Sequence, residues 1–455
     1  MFNFSTDELL SQQNDIIRAF IYTPVAISKY THYRGDIPIE FRYKNIKSPI
    51  IPLIPYNDPK ICCILSKIQD SEIITPCGLI SVTPLGTPGK IGVPYIIHDG
   101  TNELVVKMSK VNDLYSTYHS KPPTSIKEID QLDAHYCLSN VNLKNIRYIA
   151  SDEFTNETLI AYVLNYLVTQ KPLPSLFVQH YQGAICSNDT GTYGLNIMEN
   201  CDLGSLDRVI TNPKFSKYLT NYEIDDLGYK TKKKLIDTKI VTSILTQITC
   251  GLDMLQSYIG FVSGDLKAGN VFLKSEPINS EYKGIKLKAD FTCKIADYGK
   301  SSCMLMSTNE TAIRFYNDSK LSNIYLTIHP FDPNIKHIND EYYYEIGNLY
   351  NNQIYTRTRH AGVPYFRSFD YYTMIVSTLT IPEFYYSFFA TESLRKVFWD
   401  PIWIDLETNK EVINRIKQYV LLGIGRSFND SLNILKGIRL RCGAVSAVID
   451  RIQHP

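Results

Sequence analysis

The stretch Phe261-Val262-Ser263-Gly264-Asp265-Leu266-Lys267-Ala268-Gly269-Asn270-Val271-Phe272-Leu273 sets an acid, a lysine two residues on and an amide five residues on before an apolar run. A hairpin of this composition aims its three polar groups to one side while its flanks stay buried. Downstream, Lys294-Ile295-Ala296-Asp297-Tyr298-Gly299 puts a second acid at the end of a short strand. Either segment alone reads equally well as a surface turn or a plain strand end. The two in this order, with apolar strands around them, point to a site.

Asp265 followed by Asn270, then Asp297 before an aromatic residue and a glycine, resembles the catalytic core of the protein-kinase superfamily. Within it the nearest likeness is to the divergent serine/threonine kinases of large nucleocytoplasmic DNA viruses. The resemblance implies an α+β, two-lobed fold with a small β-rich N-lobe and a large, mainly helical C-lobe. It also implies ATP and Mg2+ as cofactors, and protein substrates phosphorylated on serine or threonine, with dual specificity left open. Phosphoryl transfer asks for alignment and positive charge rather than covalent work. Asp265 would orient the attacking hydroxyl and accept its proton, and Lys267 would stand by the γ-phosphate. Mg2+ takes oxygen ligands and keeps some water, so Asn270 and Asp297, with phosphates, would suffice.

The same resemblance implies the rest of the nucleotide site. Gly86-Thr87-Pro88-Gly89-Lys90-Ile91-Gly92-Val93 is a glycine-bearing turn between strands, where backbone N–H groups can approach phosphates. Its first glycine pair is one residue too wide and Pro88 removes a donor, so a hairpin without a ligand is the alternative. Gly86, Gly89, Gly92 and Val93 are its candidates. Glu103-Leu104-Val105-Val106-Lys107-Met108 reads as a strand with Val105 and Lys107 on one face, Lys107 standing where the family's phosphate-binding lysine does. In the helix predicted from Ser151, Ile160, Ala161 and Leu164 lie three, four and seven after Glu157. Glu157 therefore shares the apolar face and needs a partner, for which the resemblance implies Lys107; Glu153 is the rival acid, though its helical neighbours Asn156 and Glu157 are polar. Tyr193 to Leu206 resembles a kinase hinge. Met198 would be the gatekeeper, backbone at Glu199 to Cys201 would meet the adenine edge, and Gly204-Ser205-Leu206 would start the next helix. Asp370 fits an acid that braces the catalytic loop, or a plain helix N-cap.

At 455 residues the chain suits one large or two ordinary domains, and 44% hydrophobic and 20% charged residues suit a globular protein. The expected division is 1–74 as an N-terminal extension packed on the small lobe, 75–198 as N-lobe with an insertion at about 111–149, and 199–455 as hinge and C-lobe. A helix is expected from Ser5, and a mixed helical run inside the insertion. A net charge of +1 gives no bulk pull toward nucleic acid, and none is expected as a partner. Lys232-Lys233-Lys234 reads as a solvated loop. Ten scattered cysteines with no C-x-x-C read as reduced thiols, and with no signal peptide they suggest an intracellular place. That place is host cytoplasm if the protein is viral, with packaging in the virion a further option. Tyr371 to Ala390, the most apolar window, reads as a buried helix rather than a membrane span. The stretch after Gly299 reads as irregular up to about Tyr365, and Ile381 to Pro455 as helical.

The resemblance covers roughly Leu79 to Phe388 and departs at one telling place. The family's histidine and arginine before the catalytic acid are Ser263 and Gly264 here. A pseudokinase scaffold is the competing reading, and a small-molecule kinase of related fold a third. Retention of Lys107, Asp265, Asn270 and Asp297 favours an active enzyme.

Overall fold

The computed structural model describes residues 57–69, 81–85, 92–98, 103–111, 138–142, 145–150, 153–170, 173–226, 229–259, 261–301, 303–306, 312–317, 326–328, 343–346, 368–403, 405–441 and 443–454. The helix expected from Ser5, the Ser151 cap and the turn around Gly86 and Gly89 lie outside them. The described chain mixes helices with mainly antiparallel sheets, an α+β architecture. It forms two compact units. One lies within Met1–Pro172, Val178–Asn200 and Asp297–Ser319; the other within Leu173–Phe177, Cys201–Ala296 and Lys320–Pro455.

The first unit is built on a five-stranded antiparallel sheet. Its strands are β1 (Ser81–Pro84), β2 (Gly92–His98), β3 (Glu103–Lys110), β4 (His180–Asn188) and β5 (Gly191–Glu199), in the spatial order β1-β2-β3-β5-β4. Alternation along β3 divides its residues between two faces. Leu104 and Val106 join Ile61, Ile64 and Leu65 of helix α1 (Pro59–Gln69) in one core with Ala184, Leu195 and Ile197. Asp58 opens α1 and Pro59 takes its first position, where the missing N–H costs nothing. Helix α2 (Glu153–Gln170) approaches the sheet at two glycines. A Cβ on Gly194 would stand 2.4 Å from the Phe154 ring, and one on Gly183 2.5 Å from Thr158 Cγ2.

Cys62 of α1 and Cys186 of β4 form a disulfide with Cα atoms 5.3 Å apart, and Cys63 is disulfide-bonded as well. This corrects the expectation of reduced thiols: α1 lies against β4 and brings two cysteines 124 residues apart within bridging range. The argument from reduced thiols to a compartment falls with it. Among the described residues, Cys201, Cys250 and Cys293 are buried thiols outside any disulfide. Most of the insertion, with the helical run expected there, lies outside the described residues. Its described part holds strands Leu138–Asn142 and Asn145–Ala150, the latter parallel to Ala312–Asn317, which pairs with Cys303–Met306. Those last two strands also break up the stretch expected to be irregular.

The second unit centres on a small sheet. Strands β6 (Gly204–Ser205), β7 (Val271–Lys274) and β8 (Thr292–Ile295) run in the order β6-β7-β8, beside helix α3 (Thr238–Ile259), whose Ile244, Leu245, Ile248, Leu252 and Leu255 are buried. Between β7 and β8 lies a hairpin of Ile278–Tyr282 and Ile285–Ala289. Lys283 and Gly284 close it, both at positive φ, as a two-residue turn of twisted strands requires. Lys232 to Lys234 form part of a strand, Tyr229–Ile236, and not a loop. It pairs antiparallel with the preceding strand, Leu219–Asp226.

The apolar window resolves into α4 (Phe369–Leu379), buried along its whole length, and α5 (Pro382–Phe389). Among the described residues no helix is long and apolar enough to cross a membrane. The C-terminal region is helical apart from a strand, Arg439–Arg441, that pairs with Tyr343–Ile346.

Candidate functional site

In the first unit, β3 and α2 bring a cation and two acids together. Lys107 Nζ donates to Glu157 Oε2 at 2.8 Å and to Asp297 Oδ1 at 3.0 Å. Glu157 is 3% exposed and Asp297 37%, so only the first pair is shielded from water. Burial by itself would lower the Lys107 pKa. The Asp297 and Glu157 carboxylates overcome that and hold the ammonium above its ordinary value. Burial raises the Glu157 carboxyl, and Lys107 beside it partly offsets the shift.

Asp297 sits at φ 62°, a left-handed backbone that costs a non-glycine residue on the order of 1–3 kcal/mol. The next residue anchors the chain. Tyr298 is fully buried, its hydroxyl donates to the Val178 carbonyl at 3.2 Å, and its ring centroid lies 5.5 Å from that of His180. Burial pushes the His180 imidazole down to about 3, with the Lys107 charge adding to the shift. The ring is therefore neutral and contributes no second cation beside Lys107. Its Nδ1 is buried without a hydrogen-bond partner.

The sheet also places the other nucleotide-site candidates of this unit. Gly92 begins β2 opposite Ser109, and a Cβ there would come within 2.8 Å of the Met108 carbonyl and 3.2 Å of Lys107 Cγ. Val93 pairs with Met108. Met198, half-buried in β5, stands opposite Val105 of β3 and His180 of β4. Glu199 Oε1 accepts from the Gln179 N–H at 2.8 Å, and its own N–H donates to the Gln179 carbonyl. The Glu199 side chain thus fixes its own segment.

In the second unit, Asp265 is buried, and Lys267 Nζ lies 3.4 Å from its Oδ1. Asn270 Nδ2 donates to the Asp265 carbonyl at 2.9 Å. That bond fixes which end of the amide is nitrogen and leaves Oδ1 as the accepting end. Helix α4 braces the start of the loop: Asp370 Oδ2 accepts from the Ser263 N–H at 2.7 Å and Oδ1 from the Gly264 N–H at 3.0 Å. Burial pushes the Asp370 carboxyl up to about 7, against the pull of those two N–H groups. Gly264, at φ 68°, takes a conformation that glycine adopts without strain. Gly204 and Ser205 form strand β6 beside Leu273 and Phe272 rather than the start of a helix. Ser205 donates to Asp207 Oδ1 at 2.5 Å, and the Cys201 carbonyl accepts from the Gly204 N–H.

Lys107, Glu157 and Asp297 thus belong to one unit, and Asp265, Lys267 and Asn270 to the other. Each unit carries one oxygen donor of the hard kind that Mg2+ accepts, a carboxylate oxygen on Asp297 in the first and an amide oxygen on Asn270 in the second. Among the described residues no three histidine, cysteine, aspartate or glutamate side chains converge as a metal cage. Sequence reasoning missed His180, the Tyr298 hydroxyl and the support given by α4 beyond Asp370. Each is recognised only by its tertiary neighbour.

No family model matches the chain. A protein of Acanthamoeba polyphaga mimivirus named "Putative serine/threonine-protein kinase" is 27% identical over 272 residues, covering 50% of this chain and 36% of that protein. The match therefore spans about a third of the relative's length.

Proposed function

We propose that this chain is an ATP- and Mg2+-dependent protein kinase of two-lobed fold that phosphorylates serine and threonine hydroxyls. The observation that carries the reading is the cluster in which Lys107 meets both the buried Glu157 and the more exposed Asp297. Such a lysine is positioned by one acid to hold α- and β-phosphates, while the other acid is set to receive a metal. Asp297 and Asn270 would hold Mg2+, which neutralises charge on the phosphate oxygens when bound. Asp265 orients the acceptor hydroxyl and takes its proton as the new O–P bond forms and the bond to the ADP oxygen breaks. Lys267 stabilises the charge on the transferred group. The mimivirus relative's name supports the same class of reaction.

The test is incubation with γ-labelled ATP, Mg2+ and casein, beside an Asp297→Ala control and a chelated sample. Label in casein that depends on both Asp297 and Mg2+ is expected. A second reading, a scaffold that binds nucleotide without transferring phosphate, draws on Ser263 and Gly264 before the catalytic acid. Nucleotide binding without any transfer would favour it.

A further inference from the structure

We propose that Ser377 is a positioning residue for the loop carrying Asp265, Lys267 and Asn270, and that Ser377 and Ala268 form a matched pair. Ala268 opens a single 3-10 turn, Ala268–Asn270, after Lys267 in extended backbone at φ −151°, ψ 169°. The first residue of such a turn has no partner for its N–H within the turn. Both Ala268 and Ser377 are fully buried, so water is not at hand and an orphaned N–H would be costly. Ser377 meets the need. Its Oγ accepts from the Ala268 N–H at 2.8 Å and donates onward to the Met374 carbonyl at 2.9 Å, which fixes the hydroxyl.

Ser377 lies seven residues after Asp370, two turns along the same face of α4, a rise of about 10 Å. Asp370 holds the loop at Ser263 and Gly264, and Ser377 holds it at Ala268. Asp265 and Lys267 fall between the two attachments. One rigid helix thereby sets the path of the segment on which both side chains stand.

The pairing makes an unusual demand. Proline suits position 268 by backbone alone, since it favours the first residue of a helical turn and an extended residue before it. Its ring would, however, project where the N–H now points, onto an oxygen 2.8 Å from the nitrogen. Ser377→Ala removes the acceptor and Ala268→Pro removes the donor while colliding with the acceptor. Together they leave neither an orphan nor a collision.

The experiment measures thermal stability and phosphotransfer for wild type, the two single variants and Ala268→Pro/Ser377→Ala. Each single variant should melt several degrees lower, and the double variant should recover most of the loss. In transfer to casein, Ser377→Ala should lower kcat by roughly ten- to a hundredfold, the scale of a misplaced catalytic group, with KM for ATP little changed. The double variant should regain kcat. Additive losses in melting temperature, or a double variant that fails to fold, would overturn the pairing. Coupled melting with kcat unchanged in Ser377→Ala would overturn the positioning role. That role rests on the kinase reading, and the two fail differently: no transfer by wild type, with the melting coupling intact, rejects the kinase and leaves the pair standing.

Discussion

Replacing Lys107 by methionine tests the Lys107–Glu157 pair most directly. The variant keeps the length of the side chain and removes its charge, leaving Glu157, 3% exposed, without the ammonium 2.8 Å from its carboxylate. Breaking a buried pair from one side costs about 3–5 kcal/mol. The Asp297 arm adds little, because that carboxylate is 37% exposed and screened by water. Taking about 3 kcal/mol for Glu157 and 2–4 °C per kcal/mol for a unit of this size, melting should fall by roughly 6–12 °C near pH 8.

The loss should shrink in acid. Burial already raises the Glu157 carboxyl, and without Lys107 the main offset is gone, leaving only the smaller effect of Asn196. A raised acid binds its proton in the folded chain before it does in the unfolded one. Its penalty is therefore absent below the ordinary carboxylate range and grows as pH rises through the folded value. Lys107→Met should be close to wild type at pH 4.5 and furthest from it at pH 8. Lys107→Met/Glu157→Met should recover most of the stability at pH 8 while remaining inactive. Differential scanning fluorimetry across that range decides the matter. A deficit that does not change with pH, or a double variant no more stable than the single, would refute the buried ion pair as the source.

Other consequences are open to test. Tyr298→Phe keeps the buried ring and loses the bond to the Val178 carbonyl, and should cost about 1 kcal/mol in urea titration; a neutral result would deny the hydroxyl any anchoring role. Lys267→Ala should depress transfer to serine without comparable loss of ATP binding, read by initial rates beside nucleotide titration. Phosphoamino-acid analysis should show phosphoserine and phosphothreonine, and mainly phosphotyrosine would reverse the acceptor assignment. Because Gly264 offers no side chain to gather a phosphate on the segment after Gly299, phosphatase treatment should leave activity intact.

The features legible in the sequence are those that local periodicity encodes. A period of two put Val105 and Lys107 on one face of β3, and a period of 3.6 put Glu157 on the buried face of α2. The second of these leaves a buried acid in need of a cation, and the family resemblance singles out Lys107 as that partner. Asp370 was legible as an acid heading an apolar helix, though its choice between bracing the loop and capping its own helix was not. The structure answers with two N–H groups of a segment over a hundred residues away. Distant pairings escaped entirely. Asn145–Ala150 takes a strand partner beyond residue 311, and no spacing announces it. Ser377 is one hydroxyl among many until Ala268 is found beside it.

The bond between Cys62 and Cys186 turns everything from α1 to β4 into a closed covalent ring, with Lys107 and Glu157 both on its circumference. A ring cut once stays in one piece. A protease that nicks the chain anywhere between the two cysteines should therefore yield a species that runs intact on a non-reducing gel and falls apart only when thiol is added. The strand bearing the lysine and the helix bearing its acid would remain leashed to one another after the peptide between them is severed.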